Sequence, residues 1–127
     1  MLARYSMVRG AKLEEMPDAL RRGIRVDTRM HTRHCLRPPR SAVERYLAAP
    51  DEPAWKAFRA AYLAAVEARF DDDDEPFARL ADQARENDVF LGCSCPTAKN
   101  PDVSRCHTTL ALGFMKRRFP DLEVACP

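Results

Sequence analysis

Three of the five cysteines and one of the three histidines fall within residues 93–107. Cys93 and Cys95 close a short apolar run, Val89-Phe90-Leu91-Gly92. A polar loop of ten residues follows, and Cys106 and His107 then open a segment with helical periodicity. Side chains of these types can serve three purposes. A cysteine in the first turn of a helix faces unpaired backbone N–H groups and the positive end of the helix dipole, which favour the thiolate. Cys106 fits that description as a nucleophile or redox thiol, with His107 as its proton partner, and Cys95 is the second candidate. Soft donors can instead hold zinc or iron, and Cys93, Cys95, Cys106 and His107 make a candidate ligand set with His34 or Cys35 in reserve. The spacing, C-x-C and then C-H, departs from the C-x-x-C pairs of zinc knuckles. Lastly, cysteine is among the most buried residue types, so these thiols can simply pack, with His107 bonded to backbone. The spacing leaves all three readings open.

Cations gather near the same places. In parallel α/β sheets, ligands collect outside the C-terminal ends of the strands. This chain would deliver Arg9 after a first strand, and Asp27, Arg29 and a loop holding His31, Arg33, His34 and Cys35 after a second. Cys93 and Cys95 would follow a third strand, and Arg105 would start the next helix. Arg9, Arg29 and Arg105, close to a helix N-terminus, would hold a small anionic molecule. Nine residues separate Cys95 from Arg105, too many for the short Cys-to-Arg cradle of rhodanese-type and phosphatase loops.

The elements that must position these groups are legible in outline. Ala3 to Val8 alternates weakly and predicts a first strand. Residues 11–22 carry Leu13, Met16 and Leu20 at helical spacing, broken by Pro17, and predict a loop with a short helical turn. Ile24 to Thr28, with β-branched residues at alternate positions, predicts the second strand. Pro38-Pro39 ends a polar loop, and Ser41 with Glu44 suggests a capping box for a short helix. Asp51-Glu52-Pro53 is a helix start, and Trp55, Phe58, Tyr62, Ala65, Val66 and Phe70 mark one apolar face. Such a stripe is read as core, not as a ligand box. Asp71 to Glu75 is a run of five acids without the alternating pattern and central glycine of a calcium loop, so it reads as a solvated linker leading into a helix. Val89 to Gly92 is continuously apolar, as expected of a strand buried on both faces. Ser104 is expected to cap the next helix, Pro120 to stop it, and Leu122 to Ala125 to form a last strand. Strands separated by helices imply a small layered α/β fold, a single domain with a mostly parallel sheet of about four strands flanked by helices.

Bulk properties narrow the function classes. At 127 residues, 46% apolar and 31% charged, the chain suits one core. No apolar run approaches a membrane span and the N-terminus does not resemble a signal peptide, so a cytoplasmic location with reduced thiols is expected. Residues 1–40 hold ten Lys/Arg against four Asp/Glu, and the remainder holds eleven against fifteen. The basic first third could meet nucleic acid, but no aromatic residues interleave with the arginines of 21–40 to stack bases. Nucleic acid is therefore not the favoured partner.

Two segments carry a family resemblance. Arg25-Val26-Asp27-Thr28-Arg29, and Trp55 with Phe58 and Tyr62, are similar to motifs of the family named domain of unknown function 488, in particular its YeaO-like branch. Gly92-Cys93-Ser94-Cys95 and Cys106-His107 stand where other branches carry a Cys in a late strand and a Cys-His-Arg at the following helix, with Thr108 in place of the Arg. The similarity spans about residues 20–118. It implies a small α/β fold with a parallel sheet and leaves the activity unassigned.

Overall fold

A computed structural model describes residues 1–126. Three strands form one sheet: β1 (Leu2–Ser6), β2 (Ile24–Asp27) and β3 (Val89–Cys93). All pairing is parallel and the order is β1-β3-β2, so the apolar run that arrives last in sequence lies in the middle. Every residue of β3 is buried, as a strand covered on both faces requires. Parallel pairing brings all three strand ends to one edge: Ser6 lies beside Cys93 and Asp27 beside Gly92.

Among the described residues five α-helices complete the fold: α1 (Asp18–Arg22), α2 (Arg40–Ala48), α3 (Glu52–Asp72), α4 (Glu75–Glu86) and α5 (His107–Arg118). The start of α3 behaves as its sequence predicts, for Asp51 accepts Ala54 N–H at 2.8 Å. Its stripe is core: Phe58, Tyr62 and Val66 are buried, and Trp55, Phe58 and Tyr62 stack in succession. Burial of each such large apolar side chain stabilises the fold by roughly 1.5–3 kcal/mol. The stripe joins one cluster with Leu2, Leu91, Leu112 and Phe114, which seats α3 on α5 and α5 on β1 and β3. The acid run ends α3 and starts α4, with Asp73 and Asp74 between them.

Three expectations are corrected. Helix α2 begins at Arg40, and Ser41 makes no cap; Pro39, with φ −61°, supplies a helix-compatible start, and its carbonyl accepts Val43 N–H at 3.1 Å. Ser104 does not cap α5, because Asp102 takes both its N–H and its hydroxyl and winds Val103–Arg105 into a 3-10 turn. Cys106, extended at φ −129° and ψ 149°, interrupts that turn and becomes the residue before the helix. The predicted fourth strand shrinks to one bridge, Leu2 with Val124. Leu122 N–H is spent on the turn after α5, leaving only Glu123 and Ala125 to bond Leu2.

Gly92 leaves room for two side chains laid over the end of β3. A Cβ there would lie 2.8 Å from Met7 Sδ and from the Tyr5 ring, so a larger residue would have to displace those side chains.

Candidate functional site

Cys93, Cys95 and Cys106 converge. Cys93 is the last residue of β3, Cys95 lies in the loop beyond it, and Cys106 arrives from the start of α5. Their three sulfurs lie within 4.8 Å of one another, and among the described residues no imidazole nitrogen or carboxylate joins that group. All three are thiols; Cys93 and Cys106 are buried and Cys95 is half-buried. The cluster could hold a metal ion. Zinc–sulfur bonds of about 2.3 Å place tetrahedral sulfurs ~3.8 Å apart, within reach of this spacing by small side-chain rotations.

Surrounding groups hold the cluster in place. Arg4 on β1 donates from Nε to the Thr108 hydroxyl at 2.9 Å, and Thr108 in turn donates to Cys106 Sγ at 3.2 Å. Arg4 Nη2 also donates to the Cys95 carbonyl at 2.8 Å. The hydrogen bonds of Arg4 all go to uncharged acceptors, so its positive charge is not spent on a carboxylate among the described residues. Buried Asn100 uses its amide to bridge Cys95 Sγ at 3.2 Å and the Arg105 carbonyl at 2.8 Å, tying the loop to the start of α5. Donors of this kind stabilise negative charge on sulfur.

Within the cluster the charge settles on Cys95. Hydrogen bonds from Cys106 and Cys93, then from Asn100, hold its thiol well below the usual range, against the opposing effect of burial. Cys93 is pushed up by its hydrogen bonds to Cys106 and Cys95 and by burial. Cys106 is also raised, because its bond to Cys95 and its burial outweigh the lowering effect of Cys93.

His107 is adjacent but turned. Its Nε2 lies 3.0 Å from the hydroxyl of buried Thr28, which donates to the Gly92 carbonyl at 3.0 Å. With the Thr28 proton on that carbonyl, the imidazole carries its proton on Nε2 and keeps a lone pair on Nδ1, 3.9 Å from Cys106 Sγ. Burial drives its pKa down to about 4 despite the raising effects of Thr28 and Cys95, so the ring is neutral at pH 7.

A cavity of about 310 Å³ opens onto the cluster. All three cysteines line it, with Met30, Val43, Leu47 and Phe58 among its apolar walls. Arg29 and Arg105, two of the three arginines expected to hold an anion, also line it, yet each is engaged. Asp27 grips Arg29 in a two-pronged pair at 3.0 and 2.8 Å, and Glu52 pairs with Arg105. Asp27 also lies 3.8 Å from His31. Arg9 is exposed in the turn after β1 and does not line the cavity. Arg33 is exposed, and His34 and Cys35 form a separate pair beside Tyr62.

Sequence reading missed Arg4, Thr28, Asn100 and Thr108. Arg4 had a visible signal, as the single charged residue in the strand Leu-Ala-Arg-Tyr-Ser. Asn100 had none, being one polar residue in a polar loop. No helix among the described residues is long and apolar enough to cross a membrane. No family model, no curated protein and no solved structure matches the chain.

Proposed function

We propose that this protein binds a soft metal ion, zinc or iron, through Cys93, Cys95 and Cys106. The observation that carries the reading is the convergence of three sulfurs from two separate chain segments. Three thiols gathered by packing alone gain only weak S–H hydrogen bonds from mutual contact, whereas a thiophilic ion binds all three at once. Arg4, Thr108 and Asn100 support the charge of such a site, as partners outside the ligand shell do at metal centres. We include in the proposal membership of the domain of unknown function 488 family. Asp27 at the end of a strand, Trp55, Phe58 and Tyr62 along one helix, and Cys106-His107 opening another support that placement.

Elemental analysis of untagged protein tests the reading. The expected result is about one zinc or iron per chain. Three of the five thiols should then resist a thiol reagent until a chelator is added. Cys35→Ser protein should retain the metal, and Cys95→Ser protein should lose it. Failure to take up zinc, ferrous iron or cobalt under reducing conditions would end the proposal.

A second reading has its own observation. Cys95 is the half-buried member of the cluster, lines the cavity, and receives the Asn100 N–H. It would then be the nucleophile or redox thiol of a small-ligand site, with Cys106 and His107 beside it. Metal-free protein with one thiol alkylated far faster than the other four, and lost in Cys95→Ser, is the outcome that selects this reading over the first.

A further inference from the structure

The three-sulfur group has two unlike sides. Arg4 and Thr108 bond to its residues and do not line the cavity, so they back the cluster. The other side faces the cavity, which all three cysteines line. Among the described residues no further protein ligand atom joins the group. His107 Nδ1 lies 3.9 Å from Cys106 Sγ but falls outside the mutual contact of the three sulfurs, so a tetrahedral ion held by sulfur alone keeps one position for an outside ligand, the arrangement of reactive and not of structural zinc.

The cavity limits what that ligand can be. Its volume is about 310 Å³, against the ~30 Å³ a water molecule occupies in the liquid. A coordinated water or hydroxide would leave most of it unfilled. Met30, Val43, Leu47 and Phe58 present apolar surface. The two guanidiniums at the cavity are already paired with Asp27 and Glu52, so a second anionic group on the ligand would find no unspent cation there. An ion with three sulfur ligands is soft and takes a soft fourth donor.

We propose that the metal-loaded site binds a small apolar thiol through the remaining coordination position, with the organic group filling the cavity between α2 and the loops that follow β2 and β3. The inference rests on the metal reading of the same sulfurs. On binding, a metal–sulfur bond forms, the thiol proton passes to solvent, and the water it displaces leaves. No change of oxidation state is involved.

Cobalt-loaded protein provides the test, because its visible absorption reports both uptake of the ion and a change of its fourth ligand. Benzyl mercaptan should shift the spectrum in a saturable way, and 2-mercaptoethanesulfonate, with the same donor and a charged tail, should bind about tenfold or more weakly. Leu47→Trp fills the cavity from α2 without replacing a sulfur ligand, and Val43→Phe does so from the same helix should the first variant misfold. Either variant should take up cobalt like the parent and lose benzyl mercaptan by about tenfold or more. Cobalt uptake with no response to either thiol overturns the open position. Equal binding of the two thiols, or full benzyl mercaptan binding in the filled variants, overturns the apolar ligand class. No cobalt uptake at all removes the metal reading beneath both.

Discussion

Two places in this protein set a cysteine next to a histidine in sequence, and both hold them at the same distance. Cys35 Sγ lies 3.9 Å from His34 Nδ1, and Cys106 Sγ lies 3.9 Å from His107 Nδ1. What surrounds them differs. His34 Nδ1 accepts the backbone N–H of Leu36 at 3.1 Å, so its lone pair is spent on a turn. Burial pushes the Cys35 thiol up to about 11, and the carbonyls of Cys35 and Arg37 are capped by Arg69. Among the described residues Cys35 belongs to no group of three metal-ligating atoms. At Cys106 the histidine is held from its far nitrogen by Thr28, and two further sulfurs come from the end of the central strand. A neighbouring Cys and His are a local accident of sequence. Convergence of like donors from separate elements is a property of the fold, and it distinguishes the second place from the first.

The largest expected effect separates the two directly. Cys106→Ser should abolish stoichiometric metal uptake, and Cys35→Ser should leave it unchanged, both read by elemental analysis. Equal loss in the two variants would erase the contrast. Next in size, Thr108→Val removes the hydroxyl that donates to Cys106 Sγ and accepts from Arg4. Cobalt affinity in a competition titration should fall by about tenfold, as for other supporting partners of metal sites. Unchanged affinity would leave Thr108 without a supporting role. On the Cys35 side, Tyr62→Phe deletes a buried hydroxyl that donates to the Leu36 carbonyl at 2.7 Å. Urea unfolding should show a loss of about 1–3 kcal/mol with metal uptake intact.

The smallest effect sharpens the electrostatics at the cavity rim. The hydrogen bond from Arg29 holds the Asp27 carboxyl below its ordinary value. A depressed carboxylate contributes stability above its unfolded-state pKa and loses that contribution as pH falls through the folded value. Asp27→Asn should therefore flatten the acid limb of the stability curve below about pH 4, where carboxylates ordinarily titrate. The pair is partly exposed, so at neutral pH the change should stay within about 1 kcal/mol. A larger loss at neutral pH would mean that the pair anchors the loop that carries Met30 and His31.

The helix-bearing middle of the chain was legible because its signals are local. Asp51 and Pro53 start α3 by bonding and constraining their own neighbours, and the stripe from Trp55 to Phe70 follows from helical geometry alone. The start of α5 was misread for a comparable local reason: Asp102 competed for the Ser104 hydroxyl that would have capped the helix. The cluster was half legible. Cysteine type and proximity marked residues 93–107, while the role of Arg4, more than ninety residues away from Cys95 in sequence, lay beyond any local pattern.

Composition and periodicity by themselves determined an α/β chain with parallel strands and an apolar strand that must lie inside, because burial and backbone geometry act over a few residues. Tertiary structure alone decided that Cys93 and Cys95 meet Cys106 and not Cys35. It also decided that Arg29 and Arg105 are neutralised by carboxylates while Arg4 bonds only uncharged groups beside the cluster. These outcomes depend on which strand occupies the centre of the sheet. Strand order is set by the summed packing of α5 against β1 and β3 and of α3 against α5, an energy that no single segment carries.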